Sequence, residues 1–138
     1  MDRIDLQVEV GPVDFAAWAA RGKGAAAPSD STAAARERVL RARDRQRRRW
    51  GEGAEALNGF VEPAELRRTA EATPAAFATL ESAQKIAAFS ARALDRVLRV
   101  ARTIADLAGS EAIEPPHVVE AVQFRSLDKL RACLAGQR

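Results

Sequence analysis

The stretch from Phe89 to Leu107 constrains the fold of this chain more than any other. Its apolar positions Leu94, Val97, Leu98, Ala101, Ile104, Ala105 and Leu107 recur at i, i+3, i+4 and i+7, the rhythm of a helix with one buried stripe. Ser90 is a natural N-cap, because its hydroxyl can accept a bond from an otherwise unpaired backbone N–H. Gly109 is a natural terminator just past the last periodic residue. Arg92 then falls in the first turn, where the helix dipole is positive, and a cation there costs about 0.3–1 kcal/mol at an exposed site. A bound anion would reverse that sign, since backbone N–H groups, dipole and guanidinium would all converge on one phosphate. Without an anion, Arg92 is a solvated first-turn cation.

A length of 138 residues gives room for one domain with a modest core. Hydrophobic residues make up 47% of the chain but aromatic residues only 5%, so alanine supplies much of the apolar content. Alanine is the best helix former and contributes little core volume, which points to an all-α fold. The net charge of +3, from 22 basic and 19 acidic residues, permits phosphate contact without demanding it. One cysteine, Cys133, and one histidine, His117, exclude an internal disulfide, a thiol cage and a multi-histidine metal site. No apolar run approaches the roughly 20 residues that span a bilayer. Asp2, Arg3 and Asp5 interrupt any secretion-type apolar region. The expectation is a cytoplasmic protein with no membrane partner.

Ile4, Leu6, Val8 and Val10 alternate with Asp5, Gln7 and Glu9, a period of two that reads as a half-buried strand. No second strand follows, and a lone strand cannot satisfy its backbone groups. Two readings stand: a frayed or docked arm, or the edge of a sheet whose partners lie in protein upstream. Gly11-Pro12 ends this segment, and Val13 to Trp18 suggest one short helical turn. Residues 21–31 are rich in Gly, Ala, Pro and Ser and read as a loop. Ser31 or Thr32 caps a helix running from Ala33 to about Arg49, with Val39, Leu40 and Trp50 as its thin apolar contact. A second loop, Gly51 to Gly59, precedes a short helix opened by Pro63. Thr73-Pro74 opens another, which runs to about Ala87 with Phe77, Leu80, Gln84 and Ala87 or Ala88 on its facing stripe. Pro115-Pro116 open the last, with Val118, Val119, Val122 and Phe124 in its core pattern. That helix ends near Arg125 or continues through Leu127, Leu130 and Leu134.

The block from Ser90 to Asp128 resembles the C-terminal domain of a bacterial AAA+ ATPase family related to the magnesium-chelatase ATPase subunit, in its competence-associated, helicase-like branch. The residues that carry the match are Ser90 to Ala93, Arg96, Arg99 to Leu107, Gly109-Ser110, Ile113, His117, Glu120-Ala121 and Gln123 to Asp128. Asp2 to Leu6 resemble the segment that closes the family's ATPase core, and Arg36 to Val39 with the following arginines resemble its helical linker. Ala88-Phe89 stands where Gly-Leu is common in the family, and Leu94-Asp95 where an aromatic–histidine pair is frequent. The resemblance implies a lid-type bundle of about four or five helices with an extended N-terminal arm. Residues 1–31 would be the end of an ATPase core plus a loop, and 32–138 the helical lid with its arginine-rich linker helix. It also implies that Arg92 matches a sensor-2 arginine contacting nucleotide phosphate. Arg3 resembles an arginine finger that reaches the neighbouring subunit's nucleotide in a homo-oligomeric ring. A guanidinium suits both roles, being permanently charged, planar and bidentate. On this reading ATP and Mg2+ belong to the full-length parent with its upstream AAA+ core. The isolated chain carries neither a phosphate-binding loop, since Gly22-Lys23-Gly24 does not fit one, nor a magnesium-holding acidic strand end. It is not expected to be an enzyme by itself.

The rival reading is an independent DNA-binding module. Arginines crowd the segment from Arg36 to Arg49, relieved only by Glu37 and Asp44, and Arg41, Arg45 and Arg48 are the nucleic-acid candidates. Their affinity for phosphate backbone would be salt-dependent. No aromatic residue is interleaved with them for base stacking until Trp50. His117 is expected to be a helix-start hydrogen bonder or surface residue. Asp95, Arg99, Arg102 and Asp106 are expected to form surface pairs at i, i+4 spacing. Cys133 has no histidine base nearby and is expected to be incidental.

Overall fold

The structure is a computed structural model that describes residues 4–20, 31–53 and 55–125. Expectations on Arg3, Cys133, Leu127, Leu130, Leu134 and the loop at 21–30 lie outside the described residues. The elements are α1 (Phe15–Ala20), α2 (Thr32–Trp50), α3 (Pro63–Thr69), α4 (Pro74–Ala87), α5 (Ala91–Ala108) and α6 (Pro115–Gln123). The fold is all-α, and α2 to α6 form the bundle.

Helix α5 is the axis of the molecule. It packs against α6, α2 and α3, while α4 packs on α6. The core runs along its inner face through Val97, Leu98, Ala101 and Ala105 and meets Leu66, Ile113, Val118 and Ala121. Alanines at the crossings let the backbones approach closely, at the cost of side-chain volume. The predicted caps form: Ser31, Thr73 and Ser90 each accept from the amide three residues on, and Gly109 ends α5 at φ 78°. The α3–α4 turn is tied to the α5–α6 loop by Ile113 N–H to the Glu71 carbonyl at 2.9 Å and Thr73 N–H to the Ile113 carbonyl at 3.0 Å.

Two sequence expectations are corrected here. Val39 and Leu40 are exposed, and α2 instead lays Ala42 and Gln46 against the bundle. The arm at 4–10 forms no strand, and its apolar row is not the buried side. Ile4, Leu6, Val8 and Val10 are 49%, 52%, 69% and 85% exposed, whereas Gln7 is buried. The reason lies in what the helices present to it. Gln7 N–H donates to the Phe124 carbonyl at 2.8 Å, the buried Arg125 guanidinium donates to the Ile4 carbonyl at 2.9 Å, and Arg96 pairs with Asp5. Polar contacts therefore fix the arm, while Leu6 lies half-exposed along an apolar groove lined by Val100, Ile104 and Phe124.

Candidate functional site

The N-terminal end of α5 is built by a tight connection. Ala88 adopts a left-handed conformation, φ 49° and ψ 43°, which ends α4 and turns the chain within two residues. Phe89 is buried and anchors the turn. Ser90 Oγ then accepts from the Ala93 amide at 3.2 Å. The amides of Ala91 and Arg92 precede the first intrahelical bond and have no partner within the helix. Arg92 is exposed here and makes no hydrogen bond or ion pair with another described residue. Its cationic neighbours are engaged: Arg96 with Asp5, Arg67 with Asp95, and Arg99 Nη2 with the Val61 carbonyl at 2.9 Å. The uncompensated positive potential at this end therefore comes from Arg92 and the helix dipole.

Behind this end, α5 is held by a buried polar network that sequence reading placed on the surface. Arg102 and Asp106 do pair at i, i+4 spacing, at 3.0 Å, but both side chains are 0% exposed. Arg102 donates to the carbonyls of Ala70 at 3.2 Å, Glu111 at 2.8 Å and Ser110 at 2.8 Å, so one guanidinium caps the ends of two elements. Burial lowers the Arg102 pKa, and the neighbouring Asp106 carboxylate opposes that shift. Asp106 also takes a bidentate contact from Arg49, at 2.8 and 3.1 Å, and a bond from Asn58 Nδ2 at 2.9 Å. Asn58 is the hub of the loop: its Nδ2 also reaches Thr103 Oγ1, its Oδ1 accepts from Trp50 Nε1 at 2.8 Å, and its amide donates to Gln46 Oε1 at 2.9 Å. Nothing local in the sequence singled out Asn58, because its partners come from α2 and α5.

The arginine-rich helix divides by face. Arg49 belongs to the buried network. Arg45, half-buried, pairs with Glu111 across the bundle at 2.6 Å, and Arg41 pairs with Glu37 at 2.5 Å on the exposed side. Arg48 is exposed and lines a cleft of about 190 Å³ with Arg45, Arg49, Glu71 and Glu111. The hydrogen bond and charge of Arg45 hold the Glu111 carboxyl below its ordinary pKa. The histidine is a helix-start residue: His117 Nδ1 accepts from the Glu114 amide at 3.0 Å as half of a capping box. Among the described residues, no group of three or more His, Cys, Asp or Glu is placed to hold a metal ion, and no helix is long and apolar enough to cross a membrane.

Residues 29–125 match the family described as magnesium chelatase, subunit ChlI C-terminal, and the chain belongs to that family. It is 32% identical over 130 residues to competence protein ComM of Haemophilus influenzae and 33% identical over 130 residues to the uncharacterized protein YifB of Escherichia coli. It is 34% identical over 125 residues to an uncharacterized protein of Mycobacterium tuberculosis. These alignments cover 94%, 94% and 91% of this chain but 24% of each relative, so the chain spans about a quarter of the length of the curated relatives it matches. No solved structure matches it at the same level of significance.

Proposed function

We propose that the chain acts as the helical lid of a magnesium-chelatase-like AAA+ ATPase, in which Arg92 and the first turn of α5 meet the phosphates of ATP bound to the upstream core. The observation that carries the reading is Arg92 itself, exposed at a capped helix N-terminus with no described partner while the arginines around it are engaged. ATP with Mg2+ supplies the phosphate charge that this end of α5 suits; on the lid side, the Arg92 guanidinium and the Ala91 and Arg92 amides would hold it. The buried α5 network keeps that helix rigid, so lid closure transmits nucleotide state to the neighbouring subunits of a homo-oligomeric ring. Arg3 would act in trans as the finger on the neighbour's nucleotide. A cytoplasmic location and a role in DNA processing go with this reading. The test is ATP turnover by the full-length polypeptide carrying Arg92→Ala. Loss of turnover with the fold intact supports the assignment, and wild-type turnover defeats it.

A second reading is favoured by the spacing of Arg41, Arg45 and Arg48, which fall on one stripe of α2 with Arg48 exposed. On that reading α2 tracks a DNA backbone. Glu37 on α2, and Glu71 and Glu111 in the cleft beside it, weaken its field. Titration with single-stranded and duplex DNA at two salt concentrations tests it: micromolar, salt-sensitive binding promotes the reading, and no binding at low salt removes it.

A further inference from the structure

The arm at 4–10 leaves most of its apolar side chains exposed while polar contacts hold it. Its apolar side chains Ile4, Val8 and Val10 are exposed, and Leu6, half-exposed, lines an apolar groove with Val100, Ile104 and Phe124. Its polar side is fixed to the bundle at consecutive points: the Ile4 carbonyl to Arg125, the Asp5 carboxylate to Arg96, and the Gln7 amide to the Phe124 carbonyl. Arg125 is 1% exposed, and Arg96 is largely covered, with 19% of its side chain accessible. Arg96 lies four residues after Arg92, which places both on the same side of α5, one turn apart.

We infer that Asp5 and Arg96 form a coupling clamp. They are positioning residues that make the arm and the first turns of α5 move as one body. The inference rests on the proposed lid function and adds its transmission step. A phosphate that draws Arg92 inward displaces the first turn of α5, and the clamp carries that displacement to the arm. Salt bridges between exposed long side chains do little, but this one joins a partly buried arginine to an arm held on either side by backbone hydrogen bonds. Coupling free energies between sites ordinarily correspond to about 5–150-fold effects.

The experiment uses the full-length polypeptide and four forms: wild type, Asp5→Arg, Arg96→Asp and the double swap. Steady-state ATP turnover is measured as a function of ATP concentration, with Arg92→Ala alongside. Each single variant is expected to lower kcat about tenfold, within the range of ordinary couplings, while KM for ATP stays within about twofold because Arg92 is intact. The double swap is expected to recover most of kcat, since the pair is re-formed with reversed polarity. A purely stabilising contact would not give a kcat loss at constant KM that reciprocal exchange rescues. Single variants with wild-type kcat overturn the clamp, as does a double swap no better than either single. The underlying lid reading fails separately, on a wild-type result for Arg92→Ala.

Discussion

Replacing Asp106 by alanine should be the most damaging single change in the bundle. The carboxylate is 0% exposed and takes contacts from Arg49, Arg102 and Asn58 at 2.8–3.1 Å. Removing it leaves Arg102, also 0% exposed, with carbonyl partners but no counter-charge at hydrogen-bond distance among the described residues, since the other carboxylate it pairs with, Glu71, stands 3.9 Å away and is largely solvated. Breaking a buried pair from one side costs about 3–5 kcal/mol. Against a total of roughly 5–15 kcal/mol for a domain, that is a large fraction. With a urea slope near 2 kcal/mol per molar, the unfolding midpoint should fall by about 2 M. Arg49→Ala removes only the outer, partly accessible contact and should cost about 1–2 kcal/mol. The double variant should fall short of the sum by about 1 kcal/mol or more, because both changes delete the same bidentate contact. Equilibrium urea unfolding of the four forms, followed by circular dichroism, gives these numbers. An Asp106→Ala cost below that of Arg49→Ala would refute the idea that the network holds α2 and the Asn58 loop to α5.

Three further outcomes follow from local geometry. Ala88→Gly should stabilise the domain by about 0.5–1 kcal/mol in the same assay: φ is 49°, and relief of a left-handed alanine exceeds the added unfolded-state entropy. Gly109→Ala should destabilise by about 1 kcal/mol through its φ of 78° alone, because an added Cβ meets only Arg45 Nη2 at an ordinary 3.7 Å. The third concerns acid. The Glu111 pKa is depressed from 4.5 by Arg45, so its contribution is present above that value and is lost as pH falls through the folded-state pKa. Glu111→Gln should therefore be less stable than wild type near pH 6, and the deficit should shrink progressively as pH is lowered below 4.5, as read by thermal unfolding across that range.

Helix boundaries were legible wherever a local signal fixed them. Ser90 with Gly109 delimited α5, and Thr73-Pro74 opened α4, because capping is chemistry within a few residues of the end. What escaped was non-local. Arg102 and Asp106 read as a surface pair because i, i+4 charges usually are one. They are buried because Arg102 satisfies carbonyls contributed by Ala70, Ser110 and Glu111, which no periodicity reports. The arm shows the same limit: its period of two was visible, yet which side faces inward was set by Arg96, Arg125 and the Phe124 carbonyl, about a hundred residues away in sequence. At the candidate site, Arg92 and its cap were visible from the start. The engagement of Arg67 and Arg96, which leaves Arg92 distinct, required the fold.

Nucleotide affinity of the full-length polypeptide with and without Arg92→Ala probes the assignment of that guanidinium most directly. Equilibrium titration with a fluorescent ATP analogue should show binding weakened about tenfold or more, the scale of one charge-assisted contact, with a melting temperature equal to wild type in the absence of nucleotide. Unchanged affinity in a folded variant would place Arg92 away from the phosphates and contradict the account.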